Sequence, residues 1–545
     1  MTPSSDPELA ARGRQPHPRR LDTVKGRVLD PTRTPVTGLP PAHPTAYVRD
    51  RLMIDKRRFD DLFPDLAEVA TEHGWTLTPN RESAKTRNLP FGVRTITLSA
   101  PRHRRQPDAW QLLQYLRKEK GEDALRGIDL DHIVQTGAFQ PAHWEIPHPT
   151  HWEIPHPDDA SSVSPALVSY GLPGSGGRQP IAYAGERPRR DVPTQGGRRP
   201  VVAILDTGCY AEHPWFRDDR NVANADKDPV VRTRVRLGRQ AIGYQGAASD
   251  PELYGDLIGP FDGEIDRIAG HGTFIAGLVH QACPDATILS WRGIETVRPL
   301  VESEWLITLA QITELVRLDR EGVDQEEKDR GQAIDVLSLS LGYYHENESD
   351  DLLDPILWDI LDELGRLGVV VVCSAGNDAT AQPCYPAAFG PWADDKGPYP
   401  ARHSYAPVVS VGASNPNGTD AMFTNGGPWV RAYAPGAAVM STMPPFDGGL
   451  QPIGRLTIGG RLRESIDPDD YHAGMRGRRA EGGFGLWSGT SFAAPVIAGR
   501  IAAAMGQDVM TSAGSGDNHV GEAVTRAWNA VQAVTELRRP PAPAG

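Results

Sequence analysis

A continuous apolar run, Val201-Val202-Ala203-Ile204-Leu205, places the strongest constraint on how this chain folds. A strand with one face in water alternates apolar and polar side chains, so an unbroken run indicates a strand that is buried on both faces. Similar runs follow at 286–291, 334–341, 369–373 and 408–413. Segments with helical spacing of apolar residues separate several of these runs. The alternation predicts an α/β fold over residues 199–538: a doubly wound, mostly parallel sheet with helices on both faces.

The chain ahead of this region divides into parts of different composition. Residues 1–46 are rich in Pro and Arg and have little apolar periodicity, which predicts disorder. Residues 47–135 combine helical spacing with strand-like alternation and predict a small α/β module. Residues 136–198 are rich in Pro and Gly and predict a linker, and a loose tail is expected at 539–545.

The predicted linker contains a tandem repeat, His143–Pro149 and then the same seven residues at His151–Pro157. Four histidines and two glutamates so close together would suit a metal ion. The flanking prolines, however, favour an extended backbone without a defined cage. A local duplication in a solvated linker is therefore the default interpretation, and no metal ligand is assigned.

Charge and composition restrict the partners. The 545 residues carry 57 basic and 70 acidic side chains, a net charge of −13, which favours solubility and argues against a nucleic-acid partner. The sequence contains no apolar run of about eighteen residues, so no transmembrane helix is expected. Residues 1–20 have no apolar segment typical of a secretory signal, so we expect a cytoplasmic protein, with export by another route left open. Four cysteines without a CxxC pair predict reduced thiols.

Three side chains stand at the ends of predicted elements, where a parallel sheet forms its ligand crevice. Asp206 ends the first strand, His271 opens a helix between two glycines, and Ser491 opens another helix. A serine hydroxyl needs an adjacent imidazole as a base, and that imidazole needs a carboxylate on its other nitrogen. Taken alone, Ser491 is explained equally well as a helix N-cap. The three together indicate nucleophilic catalysis.

The motifs around these residues resemble those of a known family. The blocks Asp206-Thr207-Gly208, His271-Gly272-Thr273 and Gly489-Thr490-Ser491 are similar to those of the subtilisin family of serine proteases, and the resemblance covers about residues 200–537. It implies a serine endopeptidase that hydrolyses peptide bonds through an acyl-enzyme. By this resemblance Asp206 orients the base, His271 is the general base and acid, and Ser491 is the nucleophile.

Two further blocks belong to the same resemblance. Ser374-Ala375-Gly376-Asn377 resembles the family's oxyanion-hole block and implies Asn377 as a side-chain donor, beside the backbone N–H of Ser491; the alternative is a turn residue after a strand. The run 338–342 resembles the family's cleft-edge strand, to which a polypeptide would add by main-chain hydrogen bonds, although it also fits a buried sheet strand. The predicted substrate-binding residues are Ser338, Leu339, Ser340, Leu341, Gly342, Ser374, Ala375 and Gly376.

Two long segments depart from the family pattern. One, before His271, contains four acidic residues: Asp256, Asp262, Glu264 and Asp266. They would suit calcium or a basic substrate, or they form a solvated loop, so no cofactor is required and structural calcium stays open. The other is an insertion at 443–485, either a flap near the cleft or an inert loop. It carries Arg455, Arg461, Arg463, Arg476, Arg478 and Arg479.

The expected partners are a polypeptide substrate and, within the chain, the N-terminal module. Residues 47–135 resemble the family's inhibitory pro-regions in position and size, which predicts that the module covers the cleft and that the linker is cut. Neither nucleic acid nor a membrane is expected as a partner. Two alternatives to a general endopeptidase stay open: a dedicated intracellular processing protease with few substrates, and a catalytically silent scaffold that only binds peptide.

Overall fold

The computed structural model describes most of the chain. The described residues are 21–29, 42–136, 178–181, 186–191, 193, 197–217, 228–255, 257, 265–266, 268–295, 298–321, 331–346, 356–444, 446, 483–509 and 520–542. They form two packed units: an N-terminal module (21–29 and 42–136) and a main unit (178–542).

The N-terminal module is an antiparallel sheet with two helices. Its elements are β1 (Gly26–Val28), β2 (Ala46–Asp55), α1 (Phe59–Glu72), β3 (Thr76–Pro79), β4 (Val93–Ser99), α2 (Ala109–Lys120) and β5 (Ile128–Thr136). The strand β2 is central and pairs antiparallel with β1, β4 and β5, while β3 pairs with β4. Both helices share one apolar core with the sheet, which includes Leu66, Ile96 and Leu112.

The module begins earlier than the sequence predicts. Leu21 and Leu29, which fall within the segment expected to be disordered, are 3% and 1% exposed. Between them β1 pairs Gly26 with Val48 of β2. The Pro- and Arg-rich composition does not indicate that residues 21–29 belong to the module. A strand of three residues is stable only beside a partner that is distant in sequence. Residues 1–20 and 30–41 lie outside the described part.

The main unit alternates strands and helices. Its strands are β6 (Gln179–Pro180), β7 (Val201–Asp206), β8 (Val231–Arg232), β9 (Arg236–Leu237), β10 (Gln240–Ala241), β11 (Thr287–Arg292), β12 (Leu300–Val301), β13 (Val336–Leu339), β14 (Leu341–Tyr344), β15 (Val370–Ser374), β16 (Cys384–Tyr385), β17 (Val408–Ser414), β18 (Ala432–Pro435), β19 (Val439–Thr442) and β20 (Phe484–Trp487). Its helices are α3 (His271–Ala282), α4 (Glu302–Arg320), α5 (Ile356–Arg366), α6 (Thr490–Val509) and α7 (Val520–Val534).

Seven of these strands form a parallel sheet in the order β18-β17-β15-β13-β7-β11-β8. All six residues of β7 are buried, and alternate residues belong to different cores. Val202 and Ile204 share a core with residues of α3 and α6, whereas Ala203 and Leu205 share another with Trp305 of α4. Each face is therefore covered by helices, and the predicted α/β fold is confirmed.

The run expected as one strand at 334–341 is divided at Ser340. Its first part, β13, lies inside the sheet, because β15 and β7 pair with its two edges. Its second part, β14, leaves that sheet and pairs antiparallel with β5 of the module. Ser338 and Leu339 are consequently interior strand residues, whereas Leu341 and Gly342 lie on a strand edge of the main unit that β5 of the module covers.

The module packs on the main unit through both backbone and apolar contacts. Strand β5 pairs with β12 through Ile133 and Val134 and with β14 through Gln135 and Thr136. Several apolar module residues are buried in the same core as α4 and α5 of the main unit, namely Met53, Leu89, Phe91, Val93 and Val134. The module thereby lies over the edge strands of the main unit.

Part of the predicted linker is packed rather than extended in solvent. Strand β6 pairs with β20, and Arg178 beside it is fully buried. The Arg178 guanidinium donates to the carbonyls of Ala269 and Asp266 at 2.5 and 2.7 Å, just before α3. The tandem repeat at 143–157 lies outside the described residues.

The four cysteines are free thiols in this structure. Across the described helices, none combines the length and the apolar character that a membrane span requires.

Candidate active site

The carboxylate of Asp206 and the imidazole of His271 form a buried hydrogen bond. Asp206 ends β7 and His271 opens α3, and both side chains are fully buried. The His271 Nδ1 atom lies 2.6 Å from Asp206 Oδ1, which also accepts from the Thr207 N–H at 2.7 Å. With Nδ1 donating to the carboxylate, Nε2 is the ring atom that accepts a proton.

Glycine at position 272 permits this contact. A Cβ at Gly272 would lie 2.0 Å from the Gly208 carbonyl oxygen, so a larger residue would push α3 away from the loop that follows β7. The Gly272 N–H donates to Thr207 Oγ1 at 2.8 Å. The glycine after His271 therefore allows the loop after the strand and the start of the helix to be in direct contact.

A buried glutamate, Glu252, contacts both the loop after β7 and the start of α3. It is 1% exposed and accepts hydrogen bonds from the Thr207 hydroxyl, the Thr273 hydroxyl (2.5 Å) and the Gly272 and Thr273 N–H groups (both 3.3 Å). Burial raises the pKa of Glu252 to about 7, although the two threonine hydroxyls lower it. No sequence motif pointed to this residue, because its partners are adjacent only in the fold.

Ser491 lies in the first turn of α6, and α6 packs directly on α3. The ring of the next residue, Phe492, is 5.3 Å from the His271 ring, and the Trp487 ring is 5.6 Å from it. The Ser491 side chain is fully buried. The start of α6, which carries Ser491, therefore lies beside the His271 ring through the next residue, Phe492.

The serine hydroxyl and the imidazole are not hydrogen-bonded to each other. Ser491 Oγ donates to the Ser340 carbonyl at 3.4 Å. Among the described residues, His271 Nε2 has no hydrogen-bond partner. A buried acceptor without a partner is uncommon.

Asn377 lies beside the same helix start. Its Oδ1 accepts from both the N–H and the hydroxyl of Thr490, each at 2.9 Å, and the Gly376 N–H donates to Thr490 Oγ1 at 3.1 Å. Gly376 has φ of 103°, a left-handed value that favours glycine. Because Oδ1 is the acceptor, Nδ2 is the donor end of this oriented amide.

The predicted substrate-binding residues fall into two groups. Ser340, Leu341, Gly342 and Gly376 lie at the edge of the site, through β14 and through the contact with Thr490. The other four are strand or post-strand residues with buried side chains: Ser338, Leu339, Ser374 and Ala375. Their hydrogen bonds hold the sheet together, as with the Ala375 N–H on the Val411 carbonyl at 2.9 Å.

Most of the residues proposed from the two long segments lie outside the described part. These are Asp256, Asp262, Glu264 and the six arginines of the 443–485 insertion. Asp266 is described, and its Oδ2 accepts from the Leu257 N–H at 2.7 Å. This contact is a local loop hydrogen bond.

Comparison with known proteins places these features in a family. The model of the subtilase family matches residues 197–513. The major intracellular serine protease of Bacillus subtilis (strain 168) is 25% identical over 262 residues, which is 46% of this chain and 61% of that protein. The intracellular serine protease of Paenibacillus polymyxa is 27% identical over 255 residues, covering 46% and 60%.

Mycosin-4 of Mycobacterium tuberculosis (strain ATCC 25618 / H37Rv) is 27% identical over 336 residues, covering 56% of this chain and 64% of that protein. The chain thus spans less than two thirds of the length of each of these three relatives. The family match covers more than half of the 545 residues and includes Asp206, His271, Asn377 and Ser491. The chain belongs to the subtilase family.

Proposed function

We propose that this chain is a serine endopeptidase that hydrolyses peptide bonds through an acyl-enzyme intermediate. In this proposal Ser491 is the nucleophile, His271 the general base and acid, and Asp206 the carboxylate that orients the imidazole. The observation that carries it is the buried 2.6 Å hydrogen bond between Asp206 and His271, beside a serine in the first turn of α6. Family membership supports the same chemistry.

The reaction starts with a rotation of the Ser491 side chain from the Ser340 carbonyl towards His271 Nε2. As Oγ attacks the scissile carbonyl carbon, its proton passes to Nε2, and Asp206 stabilises the imidazolium that forms. The Ser491 N–H and Asn377 Nδ2 donate to the oxygen that becomes negative. The imidazolium then protonates the leaving amine, and a water molecule hydrolyses the ester by the reverse sequence.

A polypeptide is the substrate class that the site supports best. Strands β12 and β14 both present main-chain groups to an added strand, because each pairs with β5. Main-chain pairing on both strands favours an extended polypeptide over a small ester.

The N-terminal module acts as an intramolecular inhibitor in this proposal. Strand β5 uses the main-chain groups of β12 and β14 that a substrate would need, and Ser491 and His271 are fully buried. The described part of β5 ends at Thr136, which pairs with Leu341, the residue after Ser340. Cleavage of the chain by its own Ser491 within residues 137–198 would separate the module covalently.

Probe labelling and intact mass together test this function. A fluorophosphonate should label the processed wild-type chain at Ser491, and the Ser491→Ala variant should be neither labelled nor cut between 137 and 198. The matched control is Ser488→Ala, because Ser488 is another buried serine near the start of α6, and its hydroxyl accepts a hydrogen bond from the Ala438 N–H at 2.9 Å. Equal labelling of the Ser491→Ala and Ser488→Ala chains would contradict the proposal.

A further inference from the structure

A cluster of ionisable side chains is buried where the module meets the main unit. His132 of β5 lies between two glutamates: its Nδ1 is 2.6 Å from Glu302 Oε2, and its Nε2 is 2.9 Å from Glu346 Oε2. Glu302 opens α4 directly after β12, and Glu346 follows β14. One imidazole of the module therefore contacts segments that adjoin both edge strands of the main unit.

A second histidine completes the cluster. His345 Nδ1 is 3.6 Å from the same Glu346 oxygen, and its Nε2 is 4.0 Å from Asp129 Oδ1 of β5. His132, His345 and Glu346 each offer one donor atom, and the three atoms lie within 4.8 Å of one another. All three side chains are buried.

Two of the three ligand-to-ligand separations are close to those around a tetrahedral metal ion, and the third is at most 4.8 Å. Zinc bonds of about 2.0–2.1 Å to nitrogen and oxygen place neighbouring ligand atoms about 3.3 Å apart. The observed distances to Glu346 Oε2, 2.9 Å from His132 and 3.6 Å from His345, lie on either side of that value. Two imidazoles and one carboxylate form a donor set that zinc commonly takes.

The surroundings orient the His132 ring as in metal sites. Metal-bound histidines usually donate their other N–H to a carboxylate or a carbonyl. Glu302 is placed for His132 in this way, and its second oxygen accepts from the Tyr343 hydroxyl at 2.9 Å. Asp129 lies on the Nε2 side of His345, but at 4.0 Å it is beyond hydrogen-bond distance. The His132 ring also stacks on the Tyr343 ring, with centroids 4.5 Å apart.

Charge favours a cation at this position. Three carboxylates, Asp129, Glu302 and Glu346, lie near two buried imidazoles, and buried carboxylates require compensation. Two protonated imidazoles would supply two positive charges. One divalent ion with two neutral imidazoles supplies the same charge, so metal can replace the two protons without changing the net charge.

We propose that His132, His345 and Glu346 bind one divalent transition-metal ion of the zinc class that joins the N-terminal module to the main unit. One ligand comes from the module and two come from the segment after β14. The ion therefore holds β5 against the cleft edges independently of the peptide bonds that connect the two units.

Zinc binding to the intact chain tests this proposal. The full-length chain carrying Ser491→Ala is used as the parent, so the result does not depend on whether the protein is a protease. With Zn²⁺ alone as the probe, the parent should retain one ion per chain through gel filtration and should melt at a higher temperature with the ion than without it. His132→Gln or His345→Gln should weaken binding by more than about a hundredfold, and Glu302→Gln by about ten- to a hundredfold.

Two controls separate this site from other histidines. His73→Gln removes a histidine of the same module that also pairs with a glutamate, Glu119 at 3.0 Å, and it should leave binding unchanged. Changing all four repeat histidines, His143, His148, His151 and His156, to glutamine should also leave it unchanged. Zinc that is lost with the repeat histidines but kept by His132→Gln would overturn the proposal.

If a ligand variant does not fold, binding of Co²⁺ by the parent chain is the deciding measurement. The parent loaded with Co²⁺ alone should show the intense visible absorption of a four-coordinate ion. A folded parent that retains neither Zn²⁺ nor Co²⁺ would show that His132 is an imidazolium held between carboxylates, and the proposal would fail.

Discussion

Ser340 and Ser491 exchange two hydrogen bonds: Ser491 Oγ donates to the Ser340 carbonyl at 3.4 Å, and Ser340 Oγ donates to the Ser491 carbonyl at 3.0 Å. Ser340 is also the residue at which β13 of the sheet gives way to β14 at the cleft edge. The start of α6 is thus fixed directly to the strand that pairs with the module. Ser340 therefore connects the strand edge that the module covers with the residue proposed as the nucleophile.

The triad residues should act as a unit. We expect Ser491→Ala and His271→Ala each to lower kcat on a peptide substrate by about a millionfold, and the double variant to lower it no further. The reason is that proton transfer and attack belong to one step. Steady-state rates of the processed enzyme and of the two variants measure this. Losses that multiply in the double variant would show that the two side chains act in separate steps.

Loss of the Asn377 amide should reduce kcat more than it raises KM. Asn377→Ala removes one of the two proposed donors to the oxyanion, a change that typically costs about a hundred- to a thousandfold in kcat. The matched comparison is Asn425→Ala. Asn425 is a buried amide whose Nδ2 donates to the Ala375 carbonyl and the Tyr344 hydroxyl, both at 2.9 Å. That variant should lose stability, and equal kcat losses per folded molecule in both would contradict a specific role for Asn377.

Thr490 should act through Asn377. Thr490→Val removes the hydroxyl that holds Asn377 Oδ1 and that accepts from the Gly376 N–H. The Thr490 N–H still holds the amide, so we expect a partial loss of about tenfold in kcat with little change in KM. Thr490→Ser keeps the hydroxyl and should restore most of the rate. A Ser variant as slow as the Val variant would point to packing of the methyl group instead.

The sheet and the positions of Asp206 and His271 at element ends were predictable because both depend on local sequence. The apolar run at 201–205 predicts β7. Glycines flank His271, where α3 contacts the end of that strand. The division at Ser340 was not predictable, because an apolar run does not show which strands will pair with it. Residues such as Glu252 and His132 were missed for a related reason: their partners are 20 to 214 positions away in the chain. The predicted start of the module, at residue 47, was wrong because β1 is stable only when it pairs with β2.

Glu252 should make stability depend on pH. Its folded pKa of about 7 lies above the ordinary value of 4.5, so the fold favours the neutral carboxyl. The contribution of Glu252 to the free energy of unfolding is fully present below pH 4.5. It is lost as pH rises through 7, and the difference is about 3 kcal/mol. Urea unfolding of the Ser491→Ala chain with and without Glu252→Gln, at pH 4.5 and 8, measures it. Relative to the Gln variant, the parent should be less stable at pH 8 than at pH 4.5. The exposed control Glu212→Gln should show no such change, and a pH-independent difference for Glu252→Gln would refute the assignment.

Weakening the apolar contact of the module should speed the appearance of activity. Phe91 is 7% exposed and belongs to the core that contains Trp305 and Leu309 of α4. Removing a buried phenylalanine ring costs about 3 kcal/mol or more, and a loss of 1.4 kcal/mol at the contact already corresponds to tenfold in dissociation. We therefore expect Phe91→Ala to raise the rate at which activity appears after cleavage by at least about tenfold. Hydrolysis of a fluorogenic peptide and gel filtration of the released module measure this rate.

The control is Phe63→Ala, because Phe63 stacks on Phe59 within the module's own core, with ring centroids 5.2 Å apart. It should have a smaller effect, and identical rates for wild type and Phe91→Ala would show that this contact does not retain the module.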